Sequence, residues 1–94
     1  MTTEITRALE AIVMVADSPV PSETLAALTG IAEPEVDATM EQLAAEFASQ
    51  ERGFQLRRVA GGWRFQSHPE MAPYVERFVL EGQSAKLSAA ALET

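Results

Sequence analysis

Apolar residues recur at intervals of three and four along the start of the chain. They are Ile5, Leu9, Ile12, Val13 and Ala16. This spacing is that of one face of an amphipathic α-helix, whose first amides Thr2 or Thr3 can cap. Two prolines, Pro19 and Pro21, follow within five residues. Because neither can donate to a helical ladder, the first helix is expected to end before them.

Two further helices are predicted between residues 22 and 49. Ser22 is expected to be the N-cap of a short helix with an apolar pair, Leu25 and Leu28, that ends at Gly30 in the left-handed conformation. A longer helix is expected from Pro34, which suits a first turn, to about Ser49. Its apolar stripe has spacings of four, three and four, typical of a buried helix face. The stripe consists of Val36, Met40, Leu43 and Phe47.

A β-hairpin is predicted over residues 54–66, because two alternating segments flank a glycine pair. A two-residue turn at Gly61-Gly62 would set Ala60 opposite Trp63, Arg58 opposite Phe65 and Leu56 opposite Ser67. Phe54, Leu56, Trp63 and Phe65 then share the face toward the core. The other face carries Arg57, Arg64 and Gln66. A short third strand around Val20 is compatible with this pattern.

The last part of the chain predicts a fourth helix. Ser67 and Glu70 have the spacing of a capping box, and Pro73 favours a single turn followed by a helix that starts there.

The order of three helices, a hairpin and a helix is that of an α+β winged-helix domain with a two- to three-stranded antiparallel wing. We assign this domain to residues 1–82. Residues 83–85 resemble a linker, and Ser88 is positioned to cap another helix, so the natural chain is expected to continue.

Composition narrows the class of protein. Apolar residues make up 47% and charged residues 22% of the 94 residues, a globular balance in a length that suits one domain. There is no cysteine, and no apolar run approaches the roughly 18–20 residues that a membrane span needs. No basic region precedes an apolar stretch at the amino terminus, so no signal peptide is predicted. These features predict a cytoplasmic protein with no membrane contact.

The charge distribution weighs against a role as a DNA reader. Fourteen acidic residues against seven basic ones give a net charge of −7, which opposes the phosphate backbone. The third helix would present Gln42 as its only obvious donor among several acids. Those acids are Glu33, Glu35, Asp37, Glu41 and Glu46. Four arginines in or near the hairpin are the counter-evidence, because they can make a weak contact with nucleic acid or a partner, or else pair with surface acids. They are Arg52, Arg57, Arg58 and Arg64.

No catalytic, cofactor-binding or metal-binding residue is predicted. The single histidine, His68, stands beside Pro69 at a helix start, where a capping or solvent-exposed role is expected. No serine is placed by the sequence next to a base and an orienting acid, and no phosphate loop or zinc spacing occurs. The sequence therefore predicts a protein that is not an enzyme, has no cofactor and acts on no small-molecule substrate.

Four segments together resemble the segregation and condensation protein B (ScpB) family. The most distinctive is Gly53-Phe54 leading into Val59-Ala60-Gly61-Gly62-Trp63-Arg64-Phe65-Gln66. Residues 6–12 with 16–20, and residues 69–75, match in the same order. Residues 87–94 resemble the start of the family's second winged-helix domain. The resemblance implies a homodimer that binds the kleisin subunit ScpA, and through it Smc, in chromosome condensation and segregation at the nucleoid. It further implies that the amino-terminal domain dimerises and that the second domain supplies much of the kleisin contact.

The dimer would need apolar residues that the small core does not bury. The candidates for this interface are Ile5, Met14, Val15, Tyr74, Val75, Phe78 and Val79. The alternative is a dimeric winged-helix transcription regulator that reads DNA. A regulator would bind duplex DNA with an affinity that falls steeply as salt rises, whereas an adaptor would bind a protein.

Overall fold

The computed structural model describes residues 3–81, which form helices packed on a small antiparallel sheet. The elements are α1 (Glu4–Val15), β1 (Val20–Pro21), α2 (Ser22–Thr29), α3 (Glu33–Ser49), β2 (Phe54–Val59) and β3 (Gly62–Ser67). A 3-10 turn (Pro69–Met71) leads into α4, helical over residues 72–81. This is the predicted α+β winged helix. The expected linker and second-domain segment, residues 83–94, lies outside the described residues.

The sheet has the order β1-β3-β2, so β3 is the central strand. The expected third strand is present: Val20 pairs with Trp63 and Pro21 pairs with Gly62. A side chain at position 62 would come within 2.8 Å of the Pro19 carbonyl carbon and 2.9 Å of that of Val20. Gly62 therefore allows β1 to approach β3, which brings the α1–α2 connection onto the wing.

The predicted hairpin turn was wrong by one residue. The turn is Ala60-Gly61, with φ angles of 47° and 77°, and the strand partners are Arg58 with Trp63 and Leu56 with Phe65. The physical reason is that Gly62 is held in β3 by its pairing with β1, so the turn forms one position earlier and Ala60 adopts the left-handed conformation. The assignment of faces was nevertheless correct, because the cross-strand partner changes by two residues and side chains alternate with a period of two.

The core lies between the three first helices and the inner face of the sheet. It consists of Leu9, Val13, Val20, Leu25, Val36, Met40, Leu43, Leu56 and Trp63. Ile12, Phe47 and Phe65 pack against it half-buried, as does Ile5. Phe54 is 38% exposed, and its ring lies 5.1 Å from that of Phe47 and 5.8 Å from that of Phe65. These three aromatic rings extend the core toward the end of α3.

Helix ends follow the predicted residues in part. The Thr3 hydroxyl caps α1 by accepting from the Thr6 amide at 3.1 Å, and Gly30 ends α2 with φ 79°. Ser22 is the first residue of α2 rather than its N-cap, which is Pro21. At the last turn, His68 Nδ1 rather than Ser67 accepts from the Glu70 amide, at 3.1 Å. The histidine therefore has the capping role that the sequence indicated.

Candidate functional site

A partly buried polar network joins α2 and α3 to the wing. The Ser22 hydroxyl donates to Asp37 and accepts from Trp63 Nε1 at 3.1 Å. Arg58 donates to both, to Ser22 at 3.3 Å and to Asp37 at 3.2 Å. Its guanidinium also lies 5.2 Å from the centre of the Trp63 ring. The Ser22 oxygen accepts from the buried indole N–H instead of capping α2. The sequence pattern did not indicate this contact.

The charge of Asp37 is stabilised by this network. The Ser22 hydrogen bond, together with those from Trp63 and Arg58 and the positive charge of Arg58, holds the pKa of Asp37 below its ordinary value of 3.8. The carboxylate is therefore ionised at neutral pH and is not free to act as an acid or base. Asp37 is also only partly exposed, so it does not belong to the solvent-facing acids of α3. The network has a structural role.

The four arginines predicted as a contact surface do not act together. Arg58 is committed to Asp37, and Arg52 donates to Gln50 at 3.1 Å. Arg57 and Arg64 are directly opposite each other on the outer face of the wing, and both are exposed. Within residues 3–81, neither of these two guanidiniums has an ion pair or a hydrogen bond. The wing therefore presents two adjacent, uncompensated positive charges.

A cavity of about 400 Å³ opens at the base of the wing, between the end of α3 and the 3-10 turn. Phe47, Phe54 and Met71 supply apolar walls, and the polar walls include both acids and bases: Glu51, Arg52, Gln55, His68 and Glu70. Gln55 Nε2 is buried and has no hydrogen-bond partner among the described residues. A buried donor without an acceptor costs about 1–3 kcal/mol. No sequence pattern indicated this cavity, because its walls come from two separate stretches of the chain, residues 47–55 and 68–71.

Helix α4 carries apolar side chains that the domain does not cover. Every residue from Pro73 to Glu81 is exposed. Tyr74 is 71% and Phe78 74% exposed, and Val75 and Val79 extend the same stripe. Arg77 and Glu81 form an ion pair of 3.6 Å on the helix. Leu80 is exposed as well, at 69%, and an apolar surface of this extent on one helix is typical of a surface that contacts another molecule.

The remaining interface candidates divide between surface and core. Met14 and Val15 are exposed at the end of α1. Ile5 lies half-buried against the core and is the least available of the set.

No helix in the described part of the chain is long and apolar enough to cross a membrane. Residues 3–81 also contain no group of three or more potential metal-ligating side chains.

Comparison with known proteins gives the family. The model of the segregation and condensation complex subunit ScpB matches residues 7–94. The segregation and condensation protein B of Moorella thermoacetica is 42% identical over 93% of this chain. The chain belongs to the ScpB family. It spans less than half the length of such relatives, 44% of the Moorella protein and 39% of the ScpB of Symbiobacterium thermophilum.

Solved ScpB structures have the same fold. The crystal structure of ScpB from Mycobacterium tuberculosis superposes with a TM-score of 0.81 at 38% identity, covering 85% of this chain and 50% of that one. A dimer of an ScpB N-terminal domain complexed with an ScpA peptide superposes with a TM-score of 0.71 at 27% identity. That match covers 77% of this chain and 84% of the other. The described residues therefore share the fold of these two ScpB structures, one of which is an N-terminal domain.

Proposed function

We propose that this chain is a non-catalytic, dimerising adaptor that binds the kleisin subunit ScpA and through it assists the Smc complex in chromosome condensation and segregation. It acts in the cytoplasm, at the nucleoid. The observation that carries the proposal is the uncovered apolar stripe of α4, in a family whose N-terminal domain has been crystallised as a dimer with an ScpA peptide. An adaptor requires surfaces that bind partners rather than a reaction site, and the exposed apolar stripe of α4 is such a surface.

The dimer is proposed to form through α4. Tyr74, Val75, Phe78 and Val79 lie at helical spacing on one stripe. A dyad-related pair of such helices gives a self-complementary contact, in which each stripe buries the other. Aromatic residues are well suited to this role because they bury large areas and lose little side-chain entropy. Met14 and Val15 of α1 are proposed as a second, smaller part of the apolar surface.

The geometry favours a protein partner over DNA. Helix α3 occupies the position at which DNA-reading winged helices place their recognition helix. Its exposed residues include Glu33, Glu35, Glu41 and Glu46. Each of these carboxylates would approach phosphate, which is unfavourable at physiological salt. Specific readout through α3 is therefore disfavoured.

Calorimetric titration of this chain with the kleisin subunit of the same organism tests the adaptor function. Saturable binding is expected, with a stoichiometry of one kleisin site for each dimer or each protomer. A short duplex DNA is the control titrant, and it is expected to bind far more weakly and with a steeper salt dependence. Duplex binding without kleisin binding would overturn the proposal in favour of a DNA-reading regulator. Absence of both would assign the kleisin contact to the rest of an ScpB chain.

A further inference from the structure

Donors without acceptors are gathered on the outer face of the wing. Arg57 and Arg64 are strand partners there, and the next pair along the same face is Gln55 with Gln66. Gln55 Nε2 has no partner within residues 3–81, and neither guanidinium has an acid. Like charges directly opposite each other on a sheet are destabilising. A negatively charged or carbonyl-bearing ligand at this face would therefore reduce the repulsion between the two guanidiniums and give the Gln55 amide an acceptor.

A shortage of acids does not explain why the two arginines are unpaired. The chain has fourteen acidic residues against seven basic ones. Other arginines have found partners: Arg58 pairs with Asp37 at 3.2 Å and Arg77 with Glu81 at 3.6 Å. On a surface that is negative overall, Arg57 and Arg64 form a local positive region, which attracts a negatively charged segment to this face in preference to the rest of the domain.

The cavity at the base of the wing lies next to this region. Gln55 lines the cavity and projects from the same strand face as Arg57, two residues further along β2. Two residues of a strand span about 6.6–6.8 Å, which is also the distance between alternate side chains of an extended peptide. An extended segment lying along β2 would therefore present successive same-side groups first to Gln55 and then to Arg57. Phe47, Phe54 and Met71 offer walls for an apolar side chain at the cavity end, whereas the exposed acids Glu51 and Glu70, which also line the cavity, disfavour a ligand carboxylate there.

We propose that the outer face of the wing, from the cavity at Gln55 to the Arg57–Arg64 pair, binds an extended segment of the kleisin that has an apolar residue followed by acidic residues. The apolar side chain enters the cavity, the Gln55 amide donates to a ligand oxygen, and carboxylates lie against the two guanidiniums. This inference rests on the proposed kleisin-binding function. It assigns that function to a surface distinct from the α4 stripe, so that a dimer would present two such sites.

The first test is the double charge reversal Arg57→Glu/Arg64→Glu, titrated with the purified kleisin subunit. Affinity is expected to fall by at least about tenfold, because two favourable charge contacts become repulsive. Arg7→Glu, an exposed arginine of α1 without an ion pair among the described residues, is the matched control and should change affinity by less than about twofold. The melting temperature and the dimer mass should be unchanged in both variants.

A second variant, Gln55→Leu, separates binding from folding. Removal of an unpartnered buried donor should leave the melting temperature unchanged or raise it, while kleisin affinity falls severalfold. A purely structural glutamine would instead lower the melting temperature and leave the affinity of the folded fraction intact.

The outcomes distinguish this inference from the function on which it rests. In one outcome, the unchanged chain binds the kleisin and the charge-reversed variant binds it with an affinity within about twofold. That result would overturn the wing site and leave the adaptor function standing. No binding by the unchanged chain would overturn both for these residues. Duplex DNA binding that the double reversal abolishes, with kleisin binding retained, would reassign the face to nucleic acid.

Discussion

Single residues in this domain show how a buried polar group determines the role of its neighbours. Trp63 is 3% exposed, so its indole N–H requires an acceptor within the protein. Ser22 supplies one and thereby ceases to be available as a helix cap, and Asp37 accepts from Ser22 in turn. The sequence identified Trp63 as core and Ser22 as a helix-start residue. It did not reveal that they meet, because the contact joins positions separated by forty-one residues.

Asp37→Asn is expected to destabilise the fold at neutral pH by about 1–3 kcal/mol, because hydrogen bonds to a charged acceptor are lost. The pKa of Asp37 is lower in the folded state than its ordinary value of 3.8, so its contribution is present above that pH and is lost as the pH falls below it. The difference in unfolding free energy between the two proteins should therefore shrink under acid. Urea denaturation at several pH values measures it.

The control for this experiment is Glu41→Gln on the exposed face of α3, where no hydrogen bond or ion pair involves the carboxylate among the described residues. It should change the unfolding free energy by less than about 0.5 kcal/mol at every pH. A difference between wild type and Asp37→Asn that stays constant from neutral to acid pH would contradict the role assigned to the carboxylate charge.

At the level of elements, local patterns predicted the helices and strands but not how the strands are aligned. The 3.6-residue periodicity places α1 and α3 nearly at their observed bounds, and the alternation of Phe54, Leu56, Trp63 and Phe65 gives the correct inner face. The turn was misplaced because two residues with positive φ were assumed to be the two glycines, whereas Ala60 takes one of these positions. Gly62 is needed in the strand for the approach of β1, a contact from elsewhere in the chain.

Gly62→Ala tests this account of the wing. The new methyl group would meet backbone atoms of Pro19 and Val20 at 2.8 to 2.9 Å, and backbone cannot move aside as a flexible side chain can. We expect a loss of about 1–3 kcal/mol in unfolding free energy, as for overpacked cores. Thermal melting followed by circular dichroism measures the effect.

Gly53→Ala is the matched control, since a Cβ there has nothing within 4 Å and the φ angle is not left-handed. It should be neutral or stabilise by about 0.4–1 kcal/mol, through a less flexible unfolded chain. Equal melting temperatures for the two alanine variants would show that β1 does not need the glycine at position 62.

At the scale of the whole molecule, the two proposed contacts lie on surfaces of different chemistry. The α4 stripe is apolar and suits a permanent contact, whereas the outer wing is charged and suits a partner that is recognised by its acids. The exposure of the apolar residues of α4 could be predicted from sequence, because a domain of this size has a small core and cannot bury every apolar helix face. The proposed wing site could not be predicted from sequence, because four arginines in one stretch give no indication of which of them are already paired with acids. Only the placement of Asp37 beside Arg58 made that distinction.

Phe78→Asp tests the dimer itself. Phe78 is 74% exposed, so an aspartate is tolerated by the isolated fold, yet in a dyad contact it would bury two uncompensated charges. We expect the dimer dissociation constant to rise by at least about tenfold, measured by sedimentation equilibrium. The matched control is Leu28→Asp on α2, another exposed aliphatic residue at 64%, which should remain as dimeric as the wild type. Because dimerisation stabilises by mass action, the melting temperature of the wild type should also rise with protein concentration, and that of Phe78→Asp should not. A Phe78→Asp protein that stays dimeric would exclude α4 as the dyad contact and direct attention to Met14 and Val15.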